Sequence, residues 1–183
     1  MSSLRGKLLV ATPDLEDPNF FRTVVLVLEH NLEGALGVVL NRPSAADVSE
    51  LLPDWAVVAV DPPVVFLGGP VQPESAIGLG RRGDERDGDG FASLFGDVGT
   101  VDLERTPEDV IPQIDTVRVF AGYAGWGPGQ LDGEVASNGW FVVASEAGDP
   151  WTREPGELWR QVLRRQRGSS RLFADFPADP SLN

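Results

Sequence analysis

The sequence predicts a single α+β domain built on a largely antiparallel sheet, and three observations carry that expectation. The chain has 183 residues, the usual size of one domain and long enough to bury most of its unfolded surface. Its N-terminal half is rich in short β-branched runs joined by brief connections, as in hairpins rather than in parallel crossovers. No internal repeat and no strict alternation of strand with helix marks a doubly wound parallel sheet. Apolar residues at 42% and charged residues at 23% are those of a folded globular chain.

Leu8 to Ala11 reads as a short leading strand that Thr12-Pro13 ends. Thr23 to Glu29 is β-branched and apolar on both faces, hence a buried strand, and Gly34 to Leu40 is a second. The linker His30-Asn31-Leu32-Glu33 has hairpin-loop chemistry, so the two strands are expected to be antiparallel neighbours. Ser44 precedes Asp47 by three residues, a variant of the capping box, and Val48, Leu51 and Leu52 share a helical face until Pro53. Val64 to Leu67 is expected to be a strand running into Gly68-Gly69-Pro70, and Ala76 to Leu79 a weak one. The run from Gly80 to Gly90 contains no apolar residue and reads as an exposed loop. Thr106-Pro107 opens a helix to about Ile114. Val117 to Ala121 and Trp140 to Ala144 are the last strands, the latter apolar on both faces and therefore expected to be central. Pro155 opens a final helix with Leu158, Trp159, Val162 and Leu163 on one face. Residues 1–168 form the expected domain, and the tail 169–183 has little reason to be ordered.

Composition removes several function classes. The formal net charge is −13, a field that repels phosphate backbones and anionic headgroups, so neither direct nucleic-acid binding nor membrane binding is expected. Without Cys there is no thiolate nucleophile and no disulfide framework, and a single His leaves no multi-histidine metal site. No apolar run is long enough for a signal peptide or a membrane span, which makes the cytoplasm the expected location.

Few segments could carry chemistry. Gly122-Tyr123-Ala124-Gly125-Trp126-Gly127-Pro128-Gly129-Gln130-Leu131 fits no dinucleotide or Walker fingerprint. Its glycines either serve a tight connection after Val117 to Ala121, with Trp126 as its anchor, or line an amide-rich concavity beside Tyr123, Trp126 and Gln130. His30 is the sole candidate imidazole base. Adjacent Glu29 points to the opposite strand face, so the readings are a hairpin histidine bonded to backbone or a base without a named nucleophile. The acidic groups Asp14/Glu16/Asp17, Asp84/Glu85/Asp87/Asp89 and Asp132/Glu134 lack metal-loop spacing, and no metal is expected. From Arg153 to Arg171, six arginines face two glutamates. This is either a solvated basic helix face or an electrostatic contact with an acidic partner or a second copy of the chain.

Taken together, the segments resemble a known family. Gly6-Lys7-Leu8-Leu9-Val10-Ala11, Asp17 to Val25, Glu29-His30-Asn31 and Gly34 to Pro43 are similar to the N-terminal signature of the YqgE/AlgH family. Gly68-Gly69-Pro70-Val71, Gly122 to Leu131, Glu134, Asn138 and Trp140 resemble its later signatures. The resemblance implies a bacterial cytosolic α+β protein with a mixed, partly barrel-like sheet flanked by helices. One branch is described as a candidate transcriptional regulator of alginate production. Ile77-Gly78-Leu79-Gly80 replaces the family's apolar-Leu-His ending, so a second family histidine is missing here. The resulting expectation is a non-enzymatic regulatory or interaction protein acting through protein partners, with no catalytic residue and no cofactor. The alternative is a ligand-binding protein or enzyme with a pocket near His30, Asn41, Arg42, Gly68, Gly69, Tyr123, Trp126 and Gln130.

Overall fold

Runs of β-branched and apolar residues become strands wherever neighbours cover both of their faces. A computed structural model of the chain describes residues 2–83 and 88–179. It contains β1 (Lys7–Ala11), β2 (Val24–Asn31), β3 (Gly34–Val39), β4 (Pro43–Asp47), α1 (Val48–Leu51), β5 (Val64–Leu67) and β6 (Val71–Arg82). These are followed by β7 (Phe91–Phe95), β8 (Val98–Val101), α2 (Pro107–Val110), β9 (Ile114–Trp126), α3 (Gln130–Ala136), β10 (Trp140–Ala144) and α4 (Leu158–Arg164). The strands form one curled sheet in the order β10-β1-β2-β3-β9-β6-β8-β7, with β4 and β5 attached beside β9. Among the described residues every strand pair is antiparallel except β5 with β9. The expected α+β class therefore holds, and the sheet curls into a half-barrel.

The central strands are buried on both faces. Leu8 and Val10 point into one core with Leu26, Val38 and the apolar face of α4, while Leu9 and Ala11 join Val25, Val39, Trp126 and Trp140 in another. This split follows from the two-residue period of a strand. Leu158, Trp159, Val162 and Leu163 are all buried, and the Trp159 indole N–H donates to the Ala11 carbonyl at 3.0 Å.

Several expectations need correction. Residues Gly122 to Trp126 are not a loop. They continue β9, which pairs with β6 along its first part and with β3 at Ala35↔Trp126 along its last. β6 likewise runs on through Gly80 to Arg82, because β8 and β9 give that polar stretch two ladders to bond. His30 and Asn31 belong to β2 and shorten the hairpin turn to Leu32-Glu33. The helix expected from Ser44 starts at Val48, with Asp47 as its cap accepting from the Ser49 amide at 2.8 Å. β10 is an edge strand rather than a central one. Its apolar faces are covered by side chains instead of strands: Phe141 stacks on Phe173 and Trp140 meets Phe20 edge-on. Residues Ser169–Asp175 form a 3-10 helix that buries Ala174, so the first part of the tail has an apolar reason to pack. Asp84, Glu85 and Asp87 lie outside the described residues, as does the tail from 180 onward.

Candidate functional site

The eight residues singled out by sequence separate into three groups. His30, Trp126 and Gln130 gather beneath α3, because His30 pairs with Ala35 and Ala35 with Trp126 across neighbouring strands. His30 is buried. Its Nδ1 accepts the Leu4 amide proton at 3.0 Å and its Nε2 lies 3.3 Å from Oδ2 of Asp132. An accepting Nδ1 places the neutral ring's proton on Nε2, facing Asp132. Beside it, Glu134 Oε2 accepts from the indoles of both Trp126 and Trp140 at 2.9 Å, and Oε1 accepts from the Gln130 amide at 3.0 Å. Asp132 and Glu134 thus serve different partners. No group of three or more metal-binding side chains occurs among the described residues.

Gly68, Gly69 and Tyr123 form the second group, where β5 ends and β6 begins along β9. The Gly68 amide donates to the Ala121 carbonyl at 2.9 Å. Gly122 holds φ 71°, and a Cβ there would lie 2.5 Å from the Gly69 carbonyl oxygen. Two backbones touch here, so the glycines belong to the chain crossing rather than to an open concavity.

Asn41 and Arg42 form the third group, and they shape a cavity. Asn41 accepts from the Val24 amide and donates to the Arg22 carbonyl, both at 2.9 Å, which clamps Arg22 at φ 54°. Arg42 donates to the carbonyls of Pro18, Asn19 and Phe21, so it holds the loop before β2. The cavity, about 330 Å³, is lined by Arg22, Asn41, Arg42, Trp159 and Arg160, with Phe21 at its side. The guanidinium of Arg22 lies 4.1 Å from the centre of the Trp159 ring and donates to the Phe176 carbonyl at 3.1 Å. Burial lowers the pKa of Arg22, and the positive charge of Arg160 lowers it further. Burial also lowers that of Arg42. The nearby carboxylates of Glu157 and Asp17 offset part of these two shifts, and an anion in the cavity would offset more. A smaller apolar slot of about 80 Å³ adjoins this cavity between Pro13, Phe21, Trp159, Phe176 and Pro177.

Sequence reasoning missed Arg22 and Trp159 as site residues. Arg160 was visible only as part of the basic run. Arg118 was hidden in an apolar strand. It is almost wholly buried, donates to the carbonyls of Asp61, Pro150 and Thr152, and covers the Phe66 ring at 4.3 Å. Burial pulls its pKa down to about 10. Its donors tie β9 to two loops, which makes it a structural cation.

The fold defines a mixed α/β domain in which His30 and Glu134 are bonded into the scaffold and Arg22, Arg42 and Arg160 line one cavity. The chain belongs to the AlgH-like family, whose model matches residues 8–171. It is 54% identical to a UPF0301 protein of Streptomyces coelicolor, covering 100% of this chain and 97% of that one. A UPF0301 protein of Mycolicibacterium smegmatis is 46% identical over 97% of this chain and 90% of its own. A crystal structure of a Corynebacterium diphtheriae protein superposes with a TM-score of 0.87 at 32% identity, covering 96% of this chain and 94% of that one. The solution structure of the Pseudomonas aeruginosa AlgH protein gives a TM-score of 0.69 at 28% identity, with 97% of each chain covered. No helix among the described residues is long and apolar enough to cross a membrane.

Proposed function

We propose that this protein is a non-enzymatic interaction protein of the cytoplasm, and that an acidic segment of a protein partner docks in the cavity between Arg22, Arg42 and Arg160. The observation that carries this reading is the convergence of three arginines on one cavity in a chain of net charge −13. Guanidinium forks match carboxylates in shape and charge. The polar groups beneath α3 are consumed by the fold: His30, Glu134 and Gln130 each bond to a neighbour that needs them. Regulation through a protein rather than through DNA agrees with the overall charge, which repels a duplex outside this one face.

The test is a titration of the protein into a fluorescein-labelled polyglutamate peptide, followed by anisotropy. Saturable binding is expected at about 50 mM salt and weaker binding at about 300 mM, since exposed charges are screened over a few ångströms at the higher value. Absence of binding at both, or preferential binding of a duplex DNA competitor, contradicts the reading.

A further inference from the structure

The basic cavity and the apolar slot are one continuous feature, because Phe21, Arg22, Trp159 and Ala178 line both. The Trp159 ring carries the Arg22 guanidinium on its face. Phe21 and Phe176 both line the slot and remain 40% and 42% exposed, which leaves aromatic surface for an apolar group to cover. Resting on the function proposed above, we infer that the recognised segment is a short peptide motif with one apolar side chain beside its carboxylate. The apolar group enters the slot between Pro13, Phe21 and Phe176, and the carboxylate meets Arg22 and Arg160.

The chain itself supplies a precedent. The backbone carbonyl of Phe176 already accepts from Arg22 Nη2, so the site accommodates peptide oxygen at that position. A guanidinium offers five N–H donors, and Arg160 meets Glu157 only at 3.7 Å, which leaves donors for an incoming carboxylate. Neighbouring residues of an extended peptide are about 3.5 Å apart along the chain, so one motif can fill both compartments. A purely ionic ligand would leave the slot in water.

Three labelled peptides separate the possibilities: a glutamate-rich peptide with one central Phe, the same peptide with Ala in place of Phe, and a Gln-rich peptide keeping the Phe. The Phe peptide is expected to bind at least about tenfold more tightly than the Ala peptide, roughly 1.4 kcal/mol, and the Gln peptide to fail. Phe21→Ala changes an exposed side chain and should stay folded by circular dichroism. It is expected to bring the Phe and Ala peptides to similar affinity while leaving the salt dependence, and Phe176→Ala should do the same. Equal affinities for the Phe and Ala peptides on the unaltered protein would overturn the motif and leave the acidic-partner reading standing. Failure of all three overturns both. Displacement of both acidic peptides by inorganic phosphate with equal potency would also overturn the motif, since it marks a site for simple anions.

Discussion

The indole N–H of Trp126 donates to Oε2 of Glu134 at 2.9 Å, fixing the end of β9 to α3. The same oxygen also accepts from Trp140, on the edge strand β10. Replacing Glu134 with Gln puts an NH2 group where two indoles need an acceptor, or else turns a donor toward Gln130. Glu134→Gln is expected to cost about 1–3 kcal/mol, the cost of unpaired buried donors, and Trp126→Ala about 3–5 kcal/mol. Urea denaturation checks both. A Glu134→Gln protein as stable as the parent would remove this carboxylate from its place as the anchor.

At Gly122, alanine would combine a positive φ with a clash against the Gly69 carbonyl. Gly122→Ala is therefore expected to cost well over about 1 kcal/mol or to prevent folding. Two other glycines of the segment, Gly125 and Gly127, behave differently. At both positions a methyl group would make only ordinary van der Waals contacts, and neither has a positive φ. Alanine at either is expected to change stability by less than about 1 kcal/mol. Thermal melts of the three variants decide it, and a large loss at Gly127 would contradict the assignment.

Removing the His30 ring leaves the Leu4 amide without its acceptor and takes away the imidazole that lies 3.3 Å from Asp132 Oδ2. His30→Ala is expected to destabilise by about 2 kcal/mol or more through that loss and the cavity it leaves. Peptide binding at the arginine cavity should be unchanged. If the variant melted like the parent yet lost peptide binding, the imidazole would belong to the functional site.

The strands of the two cores were legible in the sequence because apolar and β-branched runs carry their burial with them, as in Val24 to Leu28. β7 and β8 were not, since Phe91-Ala92-Ser93 and Val98-Gly99-Thr100 are too short and mixed to rise above loop chemistry. Gly122 to Trp126 was mistaken for a loop because four glycines in a row of eight conceal a strand that two backbone ladders impose. Asn41 and Arg42 were legible as special, whereas Arg22 meets Asn41 only once β2 and β3 pair, and Trp159 joins them only through the packing of α4 on β1. The three groups of candidate residues could not be separated without the chain crossing at Gly69 and Gly122.

The C-terminal segment has a pH dependence of defined sign. The hydrogen bond from Arg164 at 2.9 Å, followed by its charge, holds the Asp175 carboxyl below its ordinary value of 3.8. A depressed folded pKa stabilises the fold above the unfolded value and loses that contribution as pH falls through the lower, folded one. Amide exchange at Phe173 and Ala174 is expected to lose protection below about pH 4, before exchange at Val25 does, and Asp175→Asn should show the low-protection behaviour already at neutral pH. Identical profiles for the parent and Asp175→Asn would rule out the Arg164 contact as the cause.

The central claim is that the cavity bounded by Arg22, Arg42 and Arg160 is the docking face, and charge reversal at Arg160 tests it most directly. Arg160 is partly exposed and bonded only weakly to Glu157, so Arg160→Glu should fold normally. Arg105→Glu, on the distant loop before α2, reverses the same charge elsewhere and serves as the control. The measurement is the dissociation constant of the Phe-containing acidic peptide for the parent and both variants at one salt concentration. The account predicts a loss of about tenfold or more for Arg160→Glu, consistent with like charge facing a carboxylate, and less than about twofold for Arg105→Glu. Equal losses in the two variants would mean that only overall charge matters, and would contradict a docking face at this cavity.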